Sequence, residues 1–218
     1  MINPQEASKQ YGHFMRRIWY RIDVISRCRA NSEYSKLMTG YSHVDVDLCY
    51  LQLRKCFELM MFASVLAHDS FGHELGKKIL NKEWKPGKII EKMRQVNPDF
   101  YPIPIHETSS GTSGARKSER LKDGFLTELE FAQAYGHCGD WLHAKREDPY
   151  RDLDMCWQKI QNYETKLVRL LKHHFILLTD SLILEAKMPE KLSGEVEVII
   201  LTHSTPDGPV DLHHNHAP

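Results

Sequence analysis

Between residues 5 and 29 apolar side chains recur every three or four positions, with Tyr11, Phe14, Ile18, Ile22 and Ile25 on one side and arginines on the other. This spacing predicts a long amphipathic helix. After a polar stretch, "DLCYLQLRKCFELMMFASVLAHDSF" (47–71) is periodic at first and then apolar all round from Cys56 to Ala67, apart from Glu58. A helix without a polar face belongs at the centre of a bundle. Shorter helical patterns follow in "HELGKKILNKEW" (73–84) and "GKIIEKMRQVN" (87–97). The prolines of "NPDFYPIPI" (97–105) then force an extended run.

Residues 106–124, "HETSSGTSGARKSERLKDG", hold almost no apolar residue and read as a long flexible loop or a lid. Thr127 with Glu130 three residues on forms a capping box that starts the helix of "TELEFAQAYGHCGDWLHA". In "YRDLDMCWQKIQNYETKLVRLLKHH" (150–174) Leu153, Trp157, Ile160, Tyr163, Leu167 and Leu170 recur at helical spacing. Beyond them "FILLTDSLILEAKM", "EVEVIILTH" and "PVDLHH" are β-branched and aliphatic and are broken by turn residues, as in a small antiparallel sheet. The expected fold is mainly α: four to five helices in a bundle domain at 1–175, followed by a β-meander and tail at 176–218.

At 218 residues the chain is sized for one main core. Its formal net charge of zero provides no long-range attraction to nucleic acid or membrane, so any anion contact must come from a local patch. The longest apolar run, "LMMFASVLA" (59–67), is about half a membrane span, and the polar N-terminus lacks a signal pattern, so a cytoplasmic protein is expected. Five cysteines without a C-x-x-C pair read as free, packed thiols, and no cofactor is expected.

Candidate chemistry concentrates in "YGHCGDWLHA" (135–144). A helix here would put Gly136, Gly139, Asp140 and His143 on one stripe. Interior helical glycines each cost about 1 kcal/mol relative to alanine, so the stripe is expected to receive a close neighbour: a helix, a second subunit or a ligand. The plain alternative is a tight helix crossing with Asp140 and His143 hydrogen-bonded. No two of His137, Cys138 and His143 have the i, i+4 spacing of a one-helix metal site, so no metal is expected there. Glu58 is expected to pair with Arg54 one turn earlier as a structural pair. Arg16, Arg17 and Arg21, interleaved with aromatics, could contact phosphate or simply be solvated.

The segments "LQLRKCFELMMFASVLAH" (51–68), "NPDFYPIPI" (97–105) and "YGHCGDWLHA" (135–144), with the helices linking them across residues 5–175, resemble the HEPN superfamily. These are small helical domains of bacterial toxin–antitoxin and phage-defence systems. The resemblance implies a homodimer acting as a metal-independent ribonuclease, with an arginine and a histidine, spaced R-x(4-6)-H, at the dimer cleft. An imidazole can move the proton of a 2′-hydroxyl while a guanidinium neutralises the phosphate. Counting back from His143, the arginine positions hold Cys138, His137 and Gly136, of which only His137 is basic. The string itself occurs in "RLLKHH", as Arg169 and His174. The catalytic candidates are therefore His143 with Asp140 and Arg169 with His174, and Arg16, Arg17, Arg21 and His137 are candidates for RNA contact. Two other classes stay open: a non-catalytic dimeric module that binds or scaffolds a protein partner, and a metal-dependent enzyme using scattered histidines.

Overall fold

The computed structural model describes residues 4–33, 37–70, 86–109, 116–143 and 152–202. Its centre is α2 (Ser42–Ser70), whose middle is apolar all round and buried on every side but the Arg54–Lys55–Glu58 edge. Against it α1 (Pro4–Glu33) lies antiparallel, packing Tyr11, Met15, Ile18, Ile22, Ile25 and Cys28 into the core. The buried Asp45 carboxylate accepts the backbone N–H groups of Met38 and Thr39 at 2.8 and 3.0 Å, which ties down the chain entering α2.

Among the described residues three further helices complete the helical layer: α3 (Pro86–Val96), α4 (Glu128–Trp141) and α5 (Leu153–Leu171). The capping box at the start of α4 is present: the Thr127 N–H donates to the Glu130 carboxylate at 3.1 Å and the Glu130 N–H to Thr127 Oγ1 at 3.3 Å. Phe131 of α4 meets Phe57 edge-on at 5.2 Å. The helix expected at 73–84 and the strand expected at "PVDLHH" lie outside the described residues.

Among the described residues the sheet has five antiparallel strands in the order β2-β1-β3-β4-β5: β1 (Ile103–Ser109), β2 (Arg116–Arg120), β3 (His173–Thr179), β4 (Leu182–Lys187) and β5 (Glu197–Thr202). β3, β4 and β5 form the meander expected from β-branched and aliphatic runs broken by turn residues. The segment read as a loop differs, since residues 106–109 continue β1 and 116–120 form β2, paired from Ile105↔Arg120 to Ser109↔Arg116. Hairpin pairing needs no buried apolar face, which is why a polar run hides it from a hydrophobic pattern. The long helix ends at Leu171, with its apolar spacing, and short of the segment through His174 expected to be helical. His173 and His174 already belong to β3, opposite Lys187 and Ala186.

Buried polar groups bind sheet to helices. Tyr11 Oη lies 2.7 Å from His174 Nε2, and His174 Nδ1 lies 3.0 Å from the Leu171 carbonyl. Asn97 bridges His68 Nε2 at 2.8 Å and the Leu177 carbonyl at 2.6 Å, joining the end of α2, the turn after α3 and β3. Each is satisfied, as burial demands.

Burial pushes the His174 imidazole down to about 4 from an ordinary 6.5. Because the folded value is the lower one, the unfolded chain takes up the proton first as pH falls. The stability from neutral His174 is thus fully present above about 6.5 and is lost towards pH 4, at up to about 1.4 kcal/mol per pH unit. His174→Asn, which cannot titrate, is expected to show a shallower fall in Tm across that window than the parent chain; parallel slopes would refute the assignment.

Candidate functional site

The helix bearing the glycine stripe is set against α2 by aromatic and polar contacts. Trp141 donates its indole N–H to Asp47 Oδ1 at 2.9 Å and stacks 4.7 Å from Tyr50, while Phe131, Ala134 and Cys138 are buried. Its final turn closes with the Leu142 N–H on the Cys138 carbonyl, 3.3 Å, so His143 falls beyond the helix and is exposed. Asp140 is exposed as well. The four-residue stripe therefore stops short of its histidine.

What approaches the stripe is the chain's own Arg54. A Cβ on Gly139 would sit 2.9 Å from Arg54 Nη1, whereas one on Gly136 would meet nothing within 4 Å. The Arg54 guanidinium lies 5.0 Å over the Tyr135 ring, donates to Tyr135 Oη at 3.2 Å and pairs with Glu58 at 3.4 Å, where Lys55 also pairs at 2.8 Å. Arg54 and Glu58 thus form the structural pair that their spacing predicts. Cys138 is no nucleophile here, because burial pushes its thiol up to about 12 even with Arg54 nearby.

The other sequence candidates disperse. Arg16 faces Glu195 at 3.7 Å, Arg17 is exposed with its guanidinium 5.9 Å over Phe14, and Arg21 donates to Gln52, so the three do not build one phosphate patch. His137 packs edge-on to Tyr50 at 5.4 Å and near Tyr163 at 5.9 Å, inside the helical layer. Arg169 and His174 do not form a motif pair. The histidine has no exposed surface, and the arginine stands on the open side of α5.

A different arrangement assembles around Arg169. β3 begins at His173, so β1, running antiparallel to it, pairs with it through Ile103↔Phe175 and Pro104↔His174 and with β2 beyond that. Past the start of β3 lies a cleft of about 510 Å³ at the end of α5, lined by His106, Glu107, Arg169, Lys172, His173 and Lys187. His173 sits at nine-tenths burial on its floor, with Nε2 2.7 Å from Glu185 Oε1. The Lys187 ammonium lies 3.3 Å from Glu107, and His106 at the mouth lies 3.7 Å from Glu119. Arg169 is seated under the turn at Gly124, which has φ +77°, and a Cβ there would come within 3.0 Å of Arg169 Nε. That turn needs glycine for both its backbone and its neighbour.

Donor atoms of Glu107, His173 and Glu185 lie within 4.8 Å of one another, a set able to hold a divalent cation. In the structure those atoms are engaged by Lys187 and by the histidine–carboxylate hydrogen bond. Sequence reading missed His106, Glu107, Lys172, His173, Glu185 and Lys187. The available signal was the His173–His174 pair at a helix-to-strand junction, where alternation must send the two rings to opposite faces. No family model, curated protein or solved structure matches the chain.

The two glycines give a direct test. Gly136→Ala is expected to raise stability by about 0.5–1 kcal/mol through helix propensity alone. Gly139→Ala is expected to gain less or to lose, since Arg54 must leave its place between Tyr135 and Glu58. Denaturant unfolding of the two variants measures the difference, and equal gains would show that Arg54 does not constrain Gly139.

Proposed function

We propose that the cleft beside β1 binds an RNA phosphodiester and cleaves it without a metal. The observation that carries this reading is that two imidazoles, His106 and His173, line one cleft whose walls also carry Arg169, Lys172 and Lys187. Transphosphorylation of RNA needs those parts. One imidazole takes the proton of the 2′-hydroxyl as its oxygen attacks phosphorus. The other gives a proton to the departing 5′-oxygen, and cations hold the charge on the non-bridging oxygens. The products are a 2′,3′-cyclic phosphate and a 5′-hydroxyl. His173, oriented by Glu185 through Nε2, is the base acting from Nδ1, and the more exposed His106 is the acid.

The resemblance to the HEPN superfamily supports the same reaction class, with an arginine and a histidine as its working parts. In the proposed site Arg169 works beside His173 rather than His174. A place in a bacterial defence or toxin–antitoxin system follows from that resemblance and belongs to the proposal.

A second reading, a non-catalytic homodimeric module, is favoured by one observation: Ile199 and Leu201 on β5 are 50% and 36% exposed on a strand whose pairing, among the described residues, is with β4 alone.

With chelator in excess, the purified chain is expected to cleave single-stranded RNA to cyclic-phosphate ends. His173→Ala and His106→Ala should each slow it about 100-fold or more, and His143→Ala should not. Activity that needs added metal, or that survives His173→Ala, would sink the reading. If the second reading holds instead, no cleavage is seen and Ile199→Lys with Leu201→Lys turns a dimer into a monomer in sedimentation velocity.

A further inference from the structure

We propose that the slot between α1 and α5 receives one unpaired base of the RNA, so that the cleft takes single-stranded substrate only. This inference rests on the phosphate reading of the cleft. The slot has a volume of about 580 Å³, and its wall is shared with the cleft: Arg169, Lys172 and Glu190 line both. Arg169 and Lys172 lie one turn apart at the end of α5, so a phosphate bound by them has the cleft histidines on one side and the slot on the other.

The slot has the surfaces a base requires. Trp19 and Ile22 from α1, Val168 from α5 and Leu192 from the segment after β4 give it apolar walls, and Asp23, paired with Arg27 at 2.7 Å, lines it as well. Ser26 and Arg29 are both bonded to the buried carboxylate of Glu164, so that end is fixed before any ligand arrives. An indole beside apolar side chains suits an aromatic heterocycle, and phosphate-binding cations at the rim suit a nucleotide rather than a free aromatic ring. A base held in a duplex is stacked and paired and cannot reach a slot walled by two helices, whereas an unpaired one can turn in.

The test compares three labelled probes with 2′-O-methyl riboses, which transphosphorylation cannot cleave, by fluorescence anisotropy: a single-stranded RNA octamer, the same strand in a duplex, and an abasic ribose-phosphate octamer. The single strand is expected to bind about tenfold or more tighter than either of the others. Trp19→Ala is expected to remove that margin. So is Thr165→Trp, which fills the slot mouth from an exposed position and leaves the core intact. Arg169→Ala is expected to weaken all three probes alike. Equal affinity of the parent chain for the three probes, or a margin that survives Thr165→Trp in a folded protein, overturns the base slot and leaves the phosphate cleft standing. Failure to bind any probe overturns the cleft reading and the slot together.

Discussion

The hydrogen bond between Tyr11 and His174 sets the phase of the sheet. Side chains on a strand alternate between its faces, so a buried His174 commits Ile176 and Leu178 to the core and sends His173 and Phe175 to the other side. The choice between two neighbouring imidazoles is thus made by a tyrosine on a helix more than 160 residues earlier in the chain. One ring is neutral, enclosed and structural. The other meets Glu185 on the floor of a cleft.

The cleft itself depends on where β3 begins. In the antiparallel register Ile105 falls opposite His173 and the residues beyond it would fall opposite the end of α5, so no backbone ladder can continue between β1 and β3. Paired with β2 past Pro104, β1 leaves that ground to side chains. Arg169 and Lys172 stand at the C-terminal end of α5, where the carbonyl ends of the helix favour positive charge, so the cations are stabilised there before any anion binds. Their position is a product of fold electrostatics as much as of function.

The helices were largely legible because their signal is periodic. The apolar stripe of α1, the all-round apolar middle of α2 and the Thr127–Glu130 box each depend on neighbours within a turn or two. The C-terminal meander was legible from β-branched and aliphatic runs broken by turn residues, which are equally local signals. The β1–β2 hairpin was not, since its residues are polar and its pairing is backbone to backbone. The candidate site was harder still. Arg169 could be singled out by its spacing to a histidine, but His106 and Glu107 on β1 and Lys187 on β4 come from two distant places in the chain and are joined only by the sheet. The same limit explains the glycine stripe: spacing shows that something must come close, and only packing identifies the neighbour of Gly139 as Arg54.

That packing couples two positions 85 residues apart in sequence. The guanidinium of Arg54 stands over the Tyr135 ring where position 139 has no side chain to displace it, and a larger residue at 139 requires the guanidinium to swing aside or position 54 to be shorter. Among chains descended from a common ancestor, the two sites should therefore drift together. Enlarging position 139 alone gives up the contacts of Arg54 with Tyr135 and Glu58, so covariation of the two positions would record this contact in sequence.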